Sequence, residues 1–471
     1  MDERIPCPGS FVFDRVDGAT LLCLVDGEHY PPVTRWTLQE LEQAGGHIVA
    51  LVFIGGTEKV GNAVEELQDE RRRYTIYTSS DTFDGTLAVI EKALEEHQPD
   101  IVVDLSDEPV IGYHERFRIA TRVLLHDACY AGADFWFTPP ERRKMLSKPS
   151  LAVIGTGKRV GKTAVSVSIA RLLDAAGYTP MVVAMGRGGP PEPEVIRPRE
   201  LDITLDFLID IAEGGGHAAS DYWEDAILAD VPTVGCRRCG GGMAGDPVLS
   251  NVLAGAMRAN EMPERFVIME GSGPTLPPVA TDASVVVVGA MQPLRYITGF
   301  FGEYRLRRAD LAVVTMCEEP MATEEQVQQV YEGIREVRPD IDVALTVFRP
   351  EPHGAIEGRR VMLATTANPA MQDTLCSYLE QAYGCQVVGV STSLSDRARL
   401  RRDLEHLDAA DVLLTEIKAA SIDVAAAAAR ERGCDVVFMH NQPVVVGGTV
   451  DSLDTAVLAL CNNICINEEI P

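Results

Sequence analysis

Lysine is nearly missing from this sequence: 471 residues carry seven lysines against 35 arginines. Basic residues are outnumbered by acids, 42 to 70, for a net charge of −28. A body so acidic is not a general binder of nucleic acid or anionic membrane. Long apolar runs are also absent, and none approaches the roughly 20 residues that span a bilayer. The start, "MDERIPCPGS", is charged and acidic where a secretory signal would be basic and then apolar. The eleven cysteines are odd in number and scattered, which fits reduced thiols rather than a disulfide framework. A cytoplasmic location is expected. The arginine bias has two open explanations, a high-salt cytoplasm or a GC-rich genome. Either way, two of the seven lysines, Lys158 and Lys162, lie in one short stretch.

What is present is α/β patterning in three blocks, with no repeat at a solenoid period. Residues 1–148 hold buried-strand patterns at 21–27, 47–56 and 100–109, with a helical stretch at 83–97. A polar, proline-bounded segment, 139–150, reads as a linker. Residues 149–348 begin with the strand "SLAVIG". They continue with a helix over 162–177 and strands at 179–186, 265–273, 283–290 and 309–320. Residues 349–471 repeat the style, either as a separate domain or as an extension of the second sheet. The expected fold is α/β: a P-loop NTPase core with a mainly parallel sheet, preceded and followed by further α/β blocks.

The stretch "VIGTGKRVGKTAVS" carries the chemistry. A strand, a Gly-rich turn and a helix start would aim backbone N–H groups and the helix's partial positive charge at one phosphate. Gly155, Thr156, Gly157, Lys158, Arg159, Val160, Gly161, Lys162 and Thr163 form the expected nucleotide cradle. Lys162 is expected on the β/γ-phosphates and Thr163 on Mg²⁺. The register departs from the usual frame, because Thr156 stands where the first Gly should fall. The frame G-T-x-x-x-V-G-K-T resembles the loop of dethiobiotin synthetase. Related partition ATPases carry a signature lysine at the position of Gly157, with Lys158 one residue off.

"VIMEGSGP" ends a strand in Glu270, where a carboxylate can meet the metal; dethiobiotin synthetase carries a similar Glu-Gly motif. Asp202 and Asp206 are weaker metal candidates. Arginines cluster beside glycines at 185–200, 235–247 and 291–310. Guanidinium forks suit phosphate, so Arg187, Arg237 and Arg238, with Lys158 and Lys162, are the candidate catalytic cations. Cys236 and Cys239 form a C-x-x-C without a second pair nearby, and a tight loop is the expected use.

Beyond the loop, "LVDGEHYPPV", "RRCGGGMAG", "MCEEP", "TVFRPEP" and "TEIKAASIDVAA" resemble the cyclic 2,3-diphosphoglycerate synthetase family, from the first block to the last. The resemblance implies closure of 2,3-bisphosphoglycerate into a cyclic pyrophosphate with ATP and Mg²⁺. A phosphorylated substrate intermediate is the expected route, with ADP and phosphate released. A homo-oligomer, a dimer, is expected, with no nucleic-acid or membrane partner. Two other readings stay open: a carboxylate-activating ligase of the dethiobiotin synthetase type, and a nucleotide-switch protein. The first needs fewer cations at the acceptor. The second wants the signature lysine, or a base-reading motif where "TMCEEP" stands.

Overall fold

A computed structural model describes residues 10–56, 73–78, 82–214 and 218–467. The acidic start, Met1–Gly9, lies outside the described residues. The chain divides into two compact units. One comprises Met1–Pro140 with Thr298–Tyr304, and the other comprises Glu141–Ile297 with Arg305–Pro471.

The first unit is built on six strands. They are β1 (Thr20–Val25), β2 (His47–Phe53), β3 (Thr75–Thr78), β4 (Ile101–Asp104), β5 (Cys129–Ala131) and β6 (Trp136–Phe137), in the order β3-β2-β1-β4-β5-β6. All pairs but the last are parallel. The helix Phe83–His97 starts where Thr82 Oγ1 accepts the Gly85 N–H at 3.2 Å, a side-chain cap for an orphan donor. Two buried carboxylates end β1 and β4, and both are used internally. Asp26 takes His29 Nδ1 and the Asp107 N–H, each at 2.7 Å. Asp104 takes Tyr130 Oη at 2.6 Å and Arg116 Nε at 3.1 Å.

The second unit holds one sheet of thirteen strands. Its P-loop half comprises β7 (Ser150–Gly155), β8 (Pro180–Gly186), β9 (Glu194–Ile196), β10 (Thr233–Cys239), β11 (Leu249–Ser250), β12 (Phe266–Glu270), β13 (Ala283–Gly289) and β14 (Leu311–Thr315). Two long strands follow in the sheet, β15 (Asp342–Pro352) and β19 (Asp435–Gly448). Between them in sequence lie β16 (Arg360–Ala364), β17 (Gln386–Ser391) and β18 (Val412–Thr415). The order is β11-β10-β8-β12-β7-β13-β14-β15-β19-β18-β16-β17, with β9 on β10. Strands β8, β12, β7, β13, β14 and the start of β15 are parallel and buried, as their unbroken Val/Ile/Ala runs require.

The block boundary at 348/349 falls inside β15, so the sheet runs on without a break. Strand β15 outruns β14, whose last register partner on it is Leu345. It pairs antiparallel with β19 out to Pro352. Strands β18 and β16 run parallel to the far end of β19. The reversal turns the carboxyl ends of β16 and β18 back toward those of the P-loop half. Loops after both sets of strands therefore converge on one gap.

Among the described residues, no helix is long and apolar enough to cross a membrane.

Candidate active site

The gap is a cavity of about 1050 Å³. The cradle forms its floor. At the end of β7, a β-carbon on Gly155 would stand 2.7 Å from Lys162 Cδ, so only glycine lets the lysine fold back over the strand end. Gly161 has φ of 86°, and a side chain there would strike the Phe348 ring. Thr156 is locked in place: its N–H donates to Val287 O at 3.1 Å and its hydroxyl to Gln292 Oε1 at 2.6 Å. The unusual register is thus tied to the loop after β13. Lys158, Arg159, Gly161, Lys162 and Thr163 line the cavity.

Among the described residues, the Lys162 ammonium donates only to Gly157 O, at a long 3.3 Å. Burial lowers its pKa, with Glu270 and Asp221 pulling the other way. Glu270 ends β12, one strand away. Its Oε1 accepts the Thr163 hydroxyl at 2.9 Å. Behind it lies Asp225, fully buried and close enough for a proton on its carboxyl to bridge to Glu270. Burial and then the Glu270 charge push Asp225 well above the carboxylate range, so Asp225 carries the proton of this pair. A strand-end carboxylate beside a Thr hydroxyl and a phosphate cradle fits a divalent cation. Among the described residues no three His, Cys, Asp or Glu side chains could hold one by themselves. The chemistry therefore suits Mg²⁺ shared with nucleotide phosphates.

The cavity differs on the two sides of β7. On the β13–β15 side it is lined by Met291, Met316, Met321 and Phe348. On the β12–β8 side it is polar. Arg187 follows β8, with Nη2 2.7 Å from where a β-carbon on Gly273 would fall. Asp221 lies over the tip of β8 as well, its Oδ2 3.8 Å from a β-carbon position on Gly186. Arg238 is buried beneath this patch. It donates to Gly240 O (2.6 Å), Ser272 O (2.7 Å) and Ser272 Oγ (3.1 Å), and so shapes the Gly-Ser-Gly turn after Glu270.

The adjacent Arg237 goes the other way. Strand residues alternate faces, and Arg237 is exposed, donating to Pro190 O at 2.7 Å. Neither Arg237 nor Arg238, both expected as catalytic cations, lines the cavity, the first exposed and the second buried behind it. Several further arginines of the glycine-flanked stretches also have internal partners. Arg197 pairs with Glu264, Arg199 with Asp174 and Asp230, and Arg305 donates to Pro274 O. Asp206 pairs with Arg430. Cys236 is buried and Cys239 exposed on opposite faces of β10, so the C-x-x-C is not a ligand pair.

The roof was not legible in the sequence. Thr366, Asn368, Glu416, Lys418 and Asn441 reach the cavity from the far half. Glu416 accepts from Thr365 Oγ1 (2.9 Å), Thr366 Oγ1 (2.7 Å) and Asn441 Nδ2 (2.9 Å). Burial would raise its pKa, but Lys418 and these donors hold it below the ordinary value.

Comparison with known proteins places these parts together. Models of cyclic 2,3-diphosphoglycerate synthetase match in three pieces: the N-terminal domain at 20–138, the P-loop domain at 150–347 and the C-terminal domain at 352–442. The chain belongs to the cyclic 2,3-diphosphoglycerate synthetase family. Cyclic 2,3-diphosphoglycerate synthetase of Methanothermus fervidus is 49% identical over 440 residues, covering 93% of this chain and 96% of the relative. The namesake from Rubrobacter xylanophilus is also 49% identical, with the same coverage. Membership makes the chain an enzyme of synthetase type, with a P-loop nucleotide-binding domain. Among solved structures, LpxK from Aquifex aeolicus in complex with ATP aligns with a TM-score of 0.38 and 13% identity. That alignment covers 69% of this chain and 91% of that one, and the likeness is too loose to add to the family assignment.

Proposed function

We propose that this chain closes 2,3-bisphosphoglycerate into cyclic 2,3-diphosphoglycerate at the expense of ATP. The observation that carries the proposal is the shared cavity: a nucleotide cradle and a second cationic group, Arg187, open onto the same space, with Arg238 buried behind the Gly-Ser-Gly turn. A carboxylate-activating ligase has less use for the second group.

Gly155 to Thr163 hold the ATP phosphates, with Lys162 on the transferring group. Thr163 and Glu270 would hold Mg²⁺, which when bound would neutralise phosphate charge. Arg187 and Lys158 are assigned to the acceptor, and Arg238 keeps the Gly-Ser-Gly turn in place. An oxygen of one substrate phosphate attacks the γ-phosphorus, and the bond to the ADP oxygen breaks. The product is a mixed anhydride on the substrate. An oxygen of the neighbouring substrate phosphate then attacks the inner phosphorus and expels inorganic phosphate. The ring pyrophosphate results. Proximity supplies much of the rate, provided cations offset the roughly −4 to −5 charge of the substrate. Residues 1–148, 149–348 and 349–471 are kept as proposed building blocks, the last two sharing this site.

Phosphorus NMR of the protein with Mg-ATP and 2,3-bisphosphoglycerate tests the proposal. ADP, inorganic phosphate and a cyclic pyrophosphate signal should grow together, and Lys162→Ala should abolish all three. ATP consumption without the cyclic signal would defeat the reading.

A further inference from the structure

The far half of the sheet contributes two cations to the cavity lining, Arg397, which is paired with Asp423, and Lys418. Lys418 follows β18, in the segment "TEIKAA", and lines the gap opposite the cradle. Its Nζ pairs with Glu224 Oε1 at 2.8 Å. Glu224 is buried in the helix Asp221–Ala229, which packs on the β8 side of the P-loop half. The pair therefore sets Lys418 on the acceptor side of β7, away from Met316 and Phe348.

Two observations separate this lysine from a simple tie between the halves. The Glu224 carboxylate is 5% exposed, whereas the Lys418 side chain is 32% exposed, toward the cavity. An ammonium has three N–H donors; Glu224 takes one, and the Glu416 and Asp221 carboxylates lie near enough to act on its charge as well. Composition adds an independent pointer. With 35 arginines against seven lysines, arginine supplies nearly all the ion pairs among the described residues. Yet three of the seven lysines, Lys158, Lys162 and Lys418, line this one cavity. Arginine fits a fixed fork to a carboxylate; lysine offers a compact point charge with rotatable donors to a phosphate that must move or change charge.

We infer that Lys418 binds a phosphate of the acceptor from above while Arg187 meets it from below, with Glu224 as the positioning residue that holds the ammonium in place. The inference rests on the proposed function, because the acceptor is taken to be a bisphosphorylated small acid. It adds that the C-terminal half is part of the acceptor site and not only a cover. Holding two phosphates of one molecule side by side is opposed by their repulsion, and cations on two sides lessen it where a one-sided patch cannot.

The test uses the full chain and calorimetric binding of two probes, 2,3-bisphosphoglycerate and Mg-ADP. The Lys418→Met change leaves Glu224 without a partner, so the double variant Lys418→Met/Glu224→Gln, which removes both charges, is the main probe. Bisphosphoglycerate affinity should fall about ten- to hundredfold, the loss of one charge-assisted hydrogen bond. Mg-ADP affinity should stay within about threefold of wild type by the same scale. Lys418→Arg should recover only part of the loss. Unchanged bisphosphoglycerate affinity in the double variant would overturn the inference alone, as would equal loss for both probes. A wild-type chain that binds Mg-ADP but not bisphosphoglycerate would overturn the proposed function, and this inference with it.

Discussion

Thr163 and Glu270, 107 residues apart in sequence, meet at 2.9 Å through a hydroxyl and a carboxylate oxygen. One is the last residue of the cradle motif and the other ends a neighbouring strand. Glu270→Gln keeps the shape and removes the charge. Turnover should fall about 10²- to 10³-fold, the cost of losing one preorganised electrostatic partner. Mn²⁺ binding in the presence of ADP, followed by electron paramagnetic resonance, should weaken in parallel. Unaltered Mn²⁺ binding would remove Glu270 from the cation site.

Arg187 and Arg237 give a paired comparison. Arg187→Ala should raise the KM for bisphosphoglycerate by about ten- to hundredfold, with little change for ATP. Arg237→Ala should leave both within about threefold and cost about 1 kcal/mol of stability for its bond to Pro190. Steady-state kinetics on the two variants checks this directly, and the reverse pattern would return Arg237 to the site.

Gly155→Ala probes the cradle without touching a polar group. The added methyl would sit 2.7 Å from Lys162 Cδ and push the lysine off its path. Turnover should drop about 10²-fold, as for a group displaced by about an ångström. The melting temperature should move little. A variant as active as wild type would show that Lys162 reaches phosphate by another route.

Asp225 links the site to pH. Its pKa stands well above the ordinary 3.8, because burial and Glu270 disfavour its charged form. A raised carboxyl pKa stabilises the fold fully below the unfolded value, and that contribution is lost as pH rises toward the folded value. Asp225→Asn keeps the neutral form at every pH. Thermal melts from about pH 5 to about pH 8 should therefore show a flatter pH dependence for the variant, with its relative gain at the upper end. A variant that loses more stability than wild type as pH rises would contradict this.

Local patterns carried the parts of the fold and site that depend on one segment. The helix expected at 83–97 is Phe83–His97; the strand expected at 150–155 is Ser150–Gly155, and the helix expected over 162–177 is Lys162–Ala175, two residues shorter. Glu270 and Arg187 were visible because each ends an apolar strand. Arg237 was misjudged where a strand's alternation could have warned that two adjacent arginines cannot both face one cavity. Asp221, Glu224 and Asp225 were missed because acids at a helix start usually mark only the helix dipole. Lys418 was missed for another reason. Only the antiparallel pairing of β15 with β19 brings residue 418 above residue 162, and no local period encodes that. The scarcity of lysine was the one available signal.

The long pair β15 and β19 also acts as a ruler. It alone in the sheet spans the gap between the two sets of carboxyl ends, and each residue of strand adds about 3.3 Å. Removing two residues from each arm would keep every side chain on its own face and lower the roof by about 7 Å. Removing one from each would exchange the faces as well. The height of the cavity is thus written in strand length, independently of every cation that lines it.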